Sequence, residues 1–534
     1  MKQNIDNQKF EGLGAFEISF EMLKLAEKNE KNNIFLNAGR GNPNWINTKA
    51  RLAFSKLVEF GIKDSLRTIN EADMAGYTQL VGIRERFEAF LEPEENETDQ
   101  FLEDAINYLK DDLSLDLDET IKELVDGAIG NNYPVPSRCL KNSEIILNQF
   151  LQSTLYNGVE LADKTQVFPT EGGTAAIVYL FNSLKRNKLI KPGDKIAINT
   201  PIFTPYLQIP ELAEYELEEV FISSTADNDW DISIEELDKL ADPDIKAFFM
   251  VNPSNPGSKA LSEKALNEIK KVVEKNKDLM IITDDVYGTF VDEFQTIYSV
   301  VPYNTILVYS YSKLYGATGW RVGMIAMNED NVYDKLISDL SEEDKSLLDK
   351  RYDIVTHSVQ SMPFLERIVA DSRAVGLYHT SGLSTPQQIM EVLFSLTHLV
   401  AIKLDKKDNY INASNELVYK RYEDLHAAMK YPGDDTPSNA KYYSLINIYD
   451  LAETKYGKEF RTYLENNIEH IDFLLNLANK NGVVLMDGVG FGSAEGNLRV
   501  SQANLPTEDY HLIGKQIIVM LKEYYDEFSN KKEK

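Results

Sequence analysis

The chain has 534 residues, 43% hydrophobic and 26% charged, a balance that suits a globular protein of two or more domains and excludes large-scale disorder. Its 85 acidic against 56 basic side chains give a formal charge of -29, which repels phosphate backbones and anionic lipid, so neither nucleic acid nor membrane is an expected partner. The single cysteine, Cys139, excludes an intrachain disulfide and reads as a buried thiol in a reducing compartment.

The opening residues, MKQNIDNQKFEGLGAFEIS, lack the apolar core of a signal peptide, and no run of about 18 apolar residues occurs, so a cytoplasmic location is expected. One amphipathic helix is expected within the first 30 residues, and residues 1–75 are expected to contribute to a smaller domain completed near the C-terminus. A large domain is expected over 76–395. It is interrupted at about 92–150 by a helical insertion, where EPEENETDQ is a charged break before FLEDAINYLKDDL and LDETIKELVDGAIG. Apolar runs rich in β-branched and aromatic residues then predict strands at 195–201, 219–223, 246–253, 279–285 and 305–312. Between them, 233–242 and 262–277 carry apolar residues three and four apart, as helices covering a sheet do. This alternation predicts an α/β fold around a mostly parallel sheet, with ligands outside the carboxyl ends of the strands. From 396 to 534 further helices (458–482), a strand-like VVLMDG (483–488) and a closing helix predict a smaller α+β domain.

The residues that follow the apolar runs carry the chemistry. In YSYSKLYGATGWRVG (309–323) a strand ends in hydroxyl residues, then Lys313, then a glycine-punctuated turn holding Arg321. Ser310, Ser312 and Arg321 suit a phosphate dianion, while Gly316, Gly319 and Gly323 permit close backbone approach. The segment TEGGTAAIVYLF (170–181) brings a glycine pair to a helix start, where free amides and the Thr174 hydroxyl can bind phosphate. At ITDDVYGTF (282–290) an acidic pair ends an apolar strand, and a carboxylate buried there needs a cationic partner.

These segments, in this chain order, resemble the class I and II aminotransferases, whose Schiff-base motif S-x-S-K-x-x-G-x-x-G-x-R-x-G is filled at every fixed position by residues 310–323. The resemblance implies a pyridoxal-phosphate (PLP) transferase fold of type I, with a seven-stranded sheet in the large domain. It also implies PLP held covalently on Lys313 as an imine, and no metal. Ser310, Arg321, Ser312, Gly173, Thr174 and Ala175 are then phosphate ligands, and Phe203 stacks on the ring. Asn255, in a VNPSNPGS turn whose Gly257 and Ser258 reverse the family's usual order, meets the phenolic oxygen together with Tyr287. Asp284 meets the pyridine nitrogen, and its neighbour Asp285 reads as structural. Tyr77, in GYTQLVGIRERF (76–87), matches a tyrosine that reaches the phosphate of a neighbouring subunit, which implies a homodimer at least. Arg499, in GNLRVSQAN (496–504), matches the arginine that forks onto a substrate α-carboxylate.

Three further segments, NAGRGNPNWINTKAR (37–51), NNYPVPSR (131–138) and TPIFTPY (200–206), together with the insertion, resemble a bifunctional branch of the family. That branch removes the β-carboxyl of L-aspartate to leave L-alanine and carbon dioxide through a ketimine, transaminates aspartate with 2-keto acids as a side activity, and forms larger assemblies of dimers. Arg40, beside Gly41 at the substrate, is the expected tuner of that partition, and Arg373 (in 371–388) a weaker contact for the β-carboxylate. A plain aspartate or other amino-acid aminotransferase is the rival reading. A cofactor-binding regulator would need lost catalytic positions or an attached helix-turn-helix, and the sequence carries neither.

Overall fold

The computed structural model describes residues 14–27 and 35–532. Its centre is a seven-stranded sheet built from β1 (Thr165–Thr170), β2 (Lys195–Thr200), β3 (Glu218–Ser223), β4 (Ile245–Val251), β5 (Met280–Asp284), β6 (Thr305–Ser310) and β7 (Gly323–Asn328). The order across the sheet is β1-β7-β6-β5-β4-β2-β3. Neighbours are parallel except β7, which runs antiparallel to both β1 and β6. The middle strands are buried along their whole length, which is why their sequences read as continuous apolar runs and not as alternation. The covering helices show the complementary pattern. In Glu263–Lys275, capped by the Ser262 side chain accepting from the Ala265 amide, Leu266, Ile269 and Val273 turn one stripe inward.

The insertion folds as helices Glu97–Asp111 and Leu117–Ile129, each begun by a side-chain cap, Asn96 and Asp116. They pack against Thr48–Ser65 and Thr385–Asp405 in the same core as the sheet. Lys56 of Thr48–Ser65 holds the buried Asp99 at 2.8 Å. The N-terminal segment therefore divides between the two cores. Thr48–Ser65 lies with the insertion, whereas Ala15–Glu27 packs on His470–Asn481, and Leu36–Asn37 pairs in parallel with Val483–Val484 in a second core. Residues 1–13 and 28–34 of that segment lie outside the described residues.

The helical stretch expected over 458–482 is two helices, Lys458–Asn467 and His470–Asn481. Asn466 and Asn467 turn their amides back onto the carbonyls of Thr462 and Tyr463, and Ile468 is extended, so the helix stops there. The VVLMDG run also divides. Val483–Val484 joins Leu36–Asn37, while β9 (Met486–Asp487) joins a three-stranded antiparallel sheet with β8 (Tyr443–Asn447) and β10 (Asn497–Ser501) in the order β8-β10-β9. The cleft of interest opens between this small sheet and the carboxyl ends of β4, β5 and β6.

Candidate active site

Several strands of the large sheet deliver functional residues where the hydrogen-bonded ladder stops. Asp284 is the last residue of β5, and Lys313 follows the end of β6 in a turn. The Lys313 ammonium donates to the Gly41 carbonyl at 3.1 Å, and the same carbonyl accepts from the Tyr442 hydroxyl at 2.8 Å. Asp284, 7% exposed, accepts from the Val286 amide at 3.3 Å. Burial pushes its carboxyl up from 3.8 to about 6, against the opposing pull of that amide and of Lys313. Asp285 does not line the cleft. It takes a hydrogen bond from the Thr283 hydroxyl, and burial raises it to about 8.

Arg499, on β10, is the most deeply buried cation of the cleft wall, only 2% exposed. Its guanidinium donates to Asn255 Oδ1 at 3.0 Å and to the Gly39 carbonyl at 2.6 Å, and is sandwiched by the rings of Tyr443 and Phe491 at 4.4 and 4.6 Å. Among the described residues no carboxylate pairs with it, and its Nε has no partner. A buried cation in that position calls for an anion from outside the chain.

The wall expected to meet a phosphate is made by the start of helix Gly173–Arg186 and the turn before β7. Gly173 and Thr174 open that helix, where amides have no carbonyl within the helix to meet. Arg321, in the left-handed region at φ 55°, donates to the carbonyls of Thr318 and Glu171 at 3.0 and 3.2 Å. A Cβ on Gly172, whose φ is 81°, would sit 2.7 Å from the Arg321 guanidinium, so glycine is required there. Ser310 Oγ lies 2.9 Å from Ser312 Oγ, and both line the cleft with Phe203, against whose ring Phe16 stands edge-on at 6.2 Å.

Four sequence-predicted residues lie elsewhere in the described chain. The Ala175 amide donates to the Gly172 carbonyl at 3.1 Å and is not free for a phosphate. Arg373 pairs with Glu171 at 2.7 Å and with the Tyr179 hydroxyl at 3.1 Å, and does not line the cleft of this chain. Arg40 is exposed with its guanidinium 6.0 Å from the Phe20 ring, while its neighbour Gly41 lines the cleft. Tyr77 is 59% exposed and points at nothing in its own site. Sequence reasoning missed Phe16, Thr318 and Tyr443, all in the wall. Tyr443 shares a dipeptide with Tyr442 at a strand start, a pattern that a core strand shows equally.

The donor set fits PLP. A lysine amine, a buried carboxylate raised for want of a cation, helix-start amides with Ser310 and Arg321, and a flat aromatic ring are the groups that an aldehyde, a pyridine nitrogen, a phosphate and a ring face require.

Residues 105–515 match the family model "Aminotransferase class I and II". The chain is 43% identical over 527 residues to a Pseudomonas sp. bifunctional aspartate aminotransferase and L-aspartate beta-decarboxylase, covering 98% of each. It is 29% identical over 222 residues to aromatic-amino-acid aminotransferase 2 of Thermococcus litoralis, covering 40% of this chain and 54% of that one. In fold it is similar to the aspartate aminotransferase of Rhizobium meliloti (TM-score 0.60, 15% identity, 97% of this chain and 99% of that one). It is likewise similar to a double mutant of the Thermus thermophilus enzyme (TM-score 0.59, 14% identity, 96% and 98%). With a strand-end lysine, a buried arginine that no carboxylate pairs among the described residues, and this near full-length likeness in hand, the chain belongs to the class I and II aminotransferases.

Proposed function

We propose that the protein removes the β-carboxyl of L-aspartate to give L-alanine and carbon dioxide, and transaminates aspartate with 2-keto acids as a side reaction. The observation that carries the reading is the buried Arg499, which faces the same cleft as Lys313 and Asp284 without a carboxylate of its own. The choice of reaction is supported by near full-length likeness to a relative named for both activities.

PLP is the cofactor of this family. When bound, it supplies an aldehyde for the substrate's amino group and a protonated ring that accepts electrons as bonds at the α- and β-carbons break. Lys313 holds the cofactor at rest, and its amine, once displaced by the substrate, takes the proton from Cα and returns it. Asp284 would meet the ring nitrogen and hold its proton there, a pairing that would favour the charged carboxylate against the burial that raises it. Asn255 and Tyr287 hold the phenolic oxygen. Gly173, Thr174, Ser310, Ser312 and Arg321 hold the phosphate, while Phe203 covers the ring. The Arg499 fork receives the α-carboxylate and presents the Cα–H bond to Lys313.

Loss of carbon dioxide would release electrons at Cβ, and the bound cofactor could accept them only after Lys313 had moved the Cα proton. The first proton transfers of transamination therefore precede decarboxylation, and one set of residues serves both outcomes. Water entering at that stage diverts the substrate to a keto acid, and Phe16 against Phe203 narrows its path. The working unit is a homodimer at least, with Tyr77 reaching the partner's phosphate. Its exposure beside Met74, Leu80 and Val81 supports this, since a contiguous apolar surface marks a docking face.

The test is aspartate alone. Alanine and carbon dioxide should form over many turnovers, slowing as the cofactor is stranded in its amine form, and a little pyruvate should restore the rate. Aspartate consumed only in proportion to added keto acid, with no carbon dioxide, would make the protein an aminotransferase.

A further inference from the structure

Tyr443 stands where three parts of the cleft meet. It begins β8, which pairs with β10 in the register Tyr443↔Ser501 and Leu445↔Arg499, and its amide donates to Ser258 Oγ at 2.8 Å, in the turn that carries Asn255. Its ring lies 4.4 Å from the Arg499 guanidinium. Its hydroxyl is 2.9 Å from the Tyr287 hydroxyl. Gly41 fixes the third relation. A Cβ there would fall 2.2 Å from the Tyr443 hydroxyl and 3.4 Å from Lys313 Nζ, so the missing side chain leaves phenol and amine facing one small space. The titratable and charged groups around that space are Tyr287, Tyr442, Lys313 and Arg499.

We propose that Tyr443 is a positioning residue with two separable roles: its hydroxyl donates to Tyr287 and so tunes the proton affinity of the cofactor bound at Lys313, and its ring steadies Arg499 for the α-carboxylate. The proposal rests on the roles of Tyr287 and Arg499 in the proposed function. A phenol has one proton to give. If Tyr443 gives its proton to Tyr287, the Tyr287 proton is free for the cofactor's phenolic oxygen, and donors in series strengthen one another. Donation to that oxygen stabilises its anion and lessens the hold on the proton at the neighbouring nitrogen. The ring acts separately, through the attraction of a desolvated guanidinium to a π face.

Two substitutions separate the roles. Tyr443→Phe keeps the ring, so it should shift the midpoint of the pH-dependent visible band of the bound cofactor upward and lower kcat about tenfold or more, with KM for aspartate within about twofold of the wild type. Tyr443→Leu should, in addition, weaken binding of maleate, a dicarboxylate that cannot react, by about three- to thirtyfold. A wild-type protein without a visible band would defeat the underlying assignment of Lys313. A wild-type band whose midpoint is unmoved in Tyr443→Phe, with kcat within about twofold, would overturn the role of the hydroxyl. Maleate binding unchanged in Tyr443→Leu would overturn the role of the ring.

Discussion

Among the described residues, three carboxyls are buried under or beside the cleft without an ion-pair partner: Asp284, Asp285 and Glu391. Burial raises Asp284 to about 6 and Asp285 to about 8 from the ordinary 3.8, and pushes Glu391, whose two oxygens have no hydrogen-bond partner, well above its usual range. An acid raised in this way binds its proton more tightly in the folded than in the unfolded chain. Its contribution to stability is therefore complete below the unfolded value and is lost as pH rises through the folded one. The cofactor-free protein should melt at progressively lower temperature as pH rises from 3.8 to about 8. Asp285→Asn should flatten the upper half of that fall, between about 6 and about 8, because only Asp285 of the two titrates there. Bound cofactor should shrink the lower half by giving Asp284 a cation. Melting temperatures across this pH series check both statements, and a slope unchanged by Asp285→Asn would refute the first.

At the scale of elements, the helices around the insertion are joined by a polar relay. Ser153, near the end of Lys141–Leu155, lies 2.8 Å from His398 Nε2. His398, on Thr385–Asp405, lies 3.0 Å through Nδ1 from Asp408, whose other oxygen caps Asn409–Met429 by accepting from the Tyr410 and Ile411 amides. One imidazole thus ties three helices together. His398→Ala should cost about 2 kcal/mol in urea unfolding, because it strands a buried carboxylate oxygen, while the aspartate kinetics stay near wild type. Equal stability would mean that water replaces the ring.

The same scale shows what was legible in sequence. Strands β2 to β6 and the helices between them stood out because a sheet covered on both faces needs unbroken apolar runs. Of the residues at their ends, Asp284 stood out because a carboxylate buried there needs a cation, Lys313 because serines, glycines and Arg321 surround it, and Asn255 only through the family resemblance. The break at Ile468 was hidden, since Asn466 and Asn467 also occur within helices, and the division of VVLMDG between two sheets depends on partners far away in sequence. The pairing of Arg373 with Glu171, 202 residues distant, is likewise one that no local pattern reveals.

At the scale of the whole molecule, the exposed Tyr77 makes a claim about two chains. If it completes the partner's phosphate site, Tyr77→Ala and Lys313→Ala subunits are each defective in a different way. Mixing and reassociating them should produce hybrid dimers in which one site has both its lysine and its tyrosine. Activity should therefore rise above that of either parent, and the apparent affinity for PLP in the hybrid should approach wild type. If Tyr77 serves only its own chain, no mixture would recover. Within one chain the two cores meet at Gly39 and Gly41, two residues apart, whose carbonyls accept from Arg499 of the small sheet and from Lys313 beyond the end of β6.

The chain has three tryptophans. The Trp45 indole donates to the Leu314 carbonyl at 3.0 Å, and Trp320 precedes Arg321 and meets Phe54 edge-on at 5.7 Å, whereas Trp230 lies in the turn beyond β3. Two of the three fluorophores thus adjoin the two ends of the cofactor site, the lysine and the phosphate arginine. A ligand that absorbs near the tryptophan emission would dim the light from that pair, so the protein carries its own optical gauge of occupancy, readable without substrate and without a label.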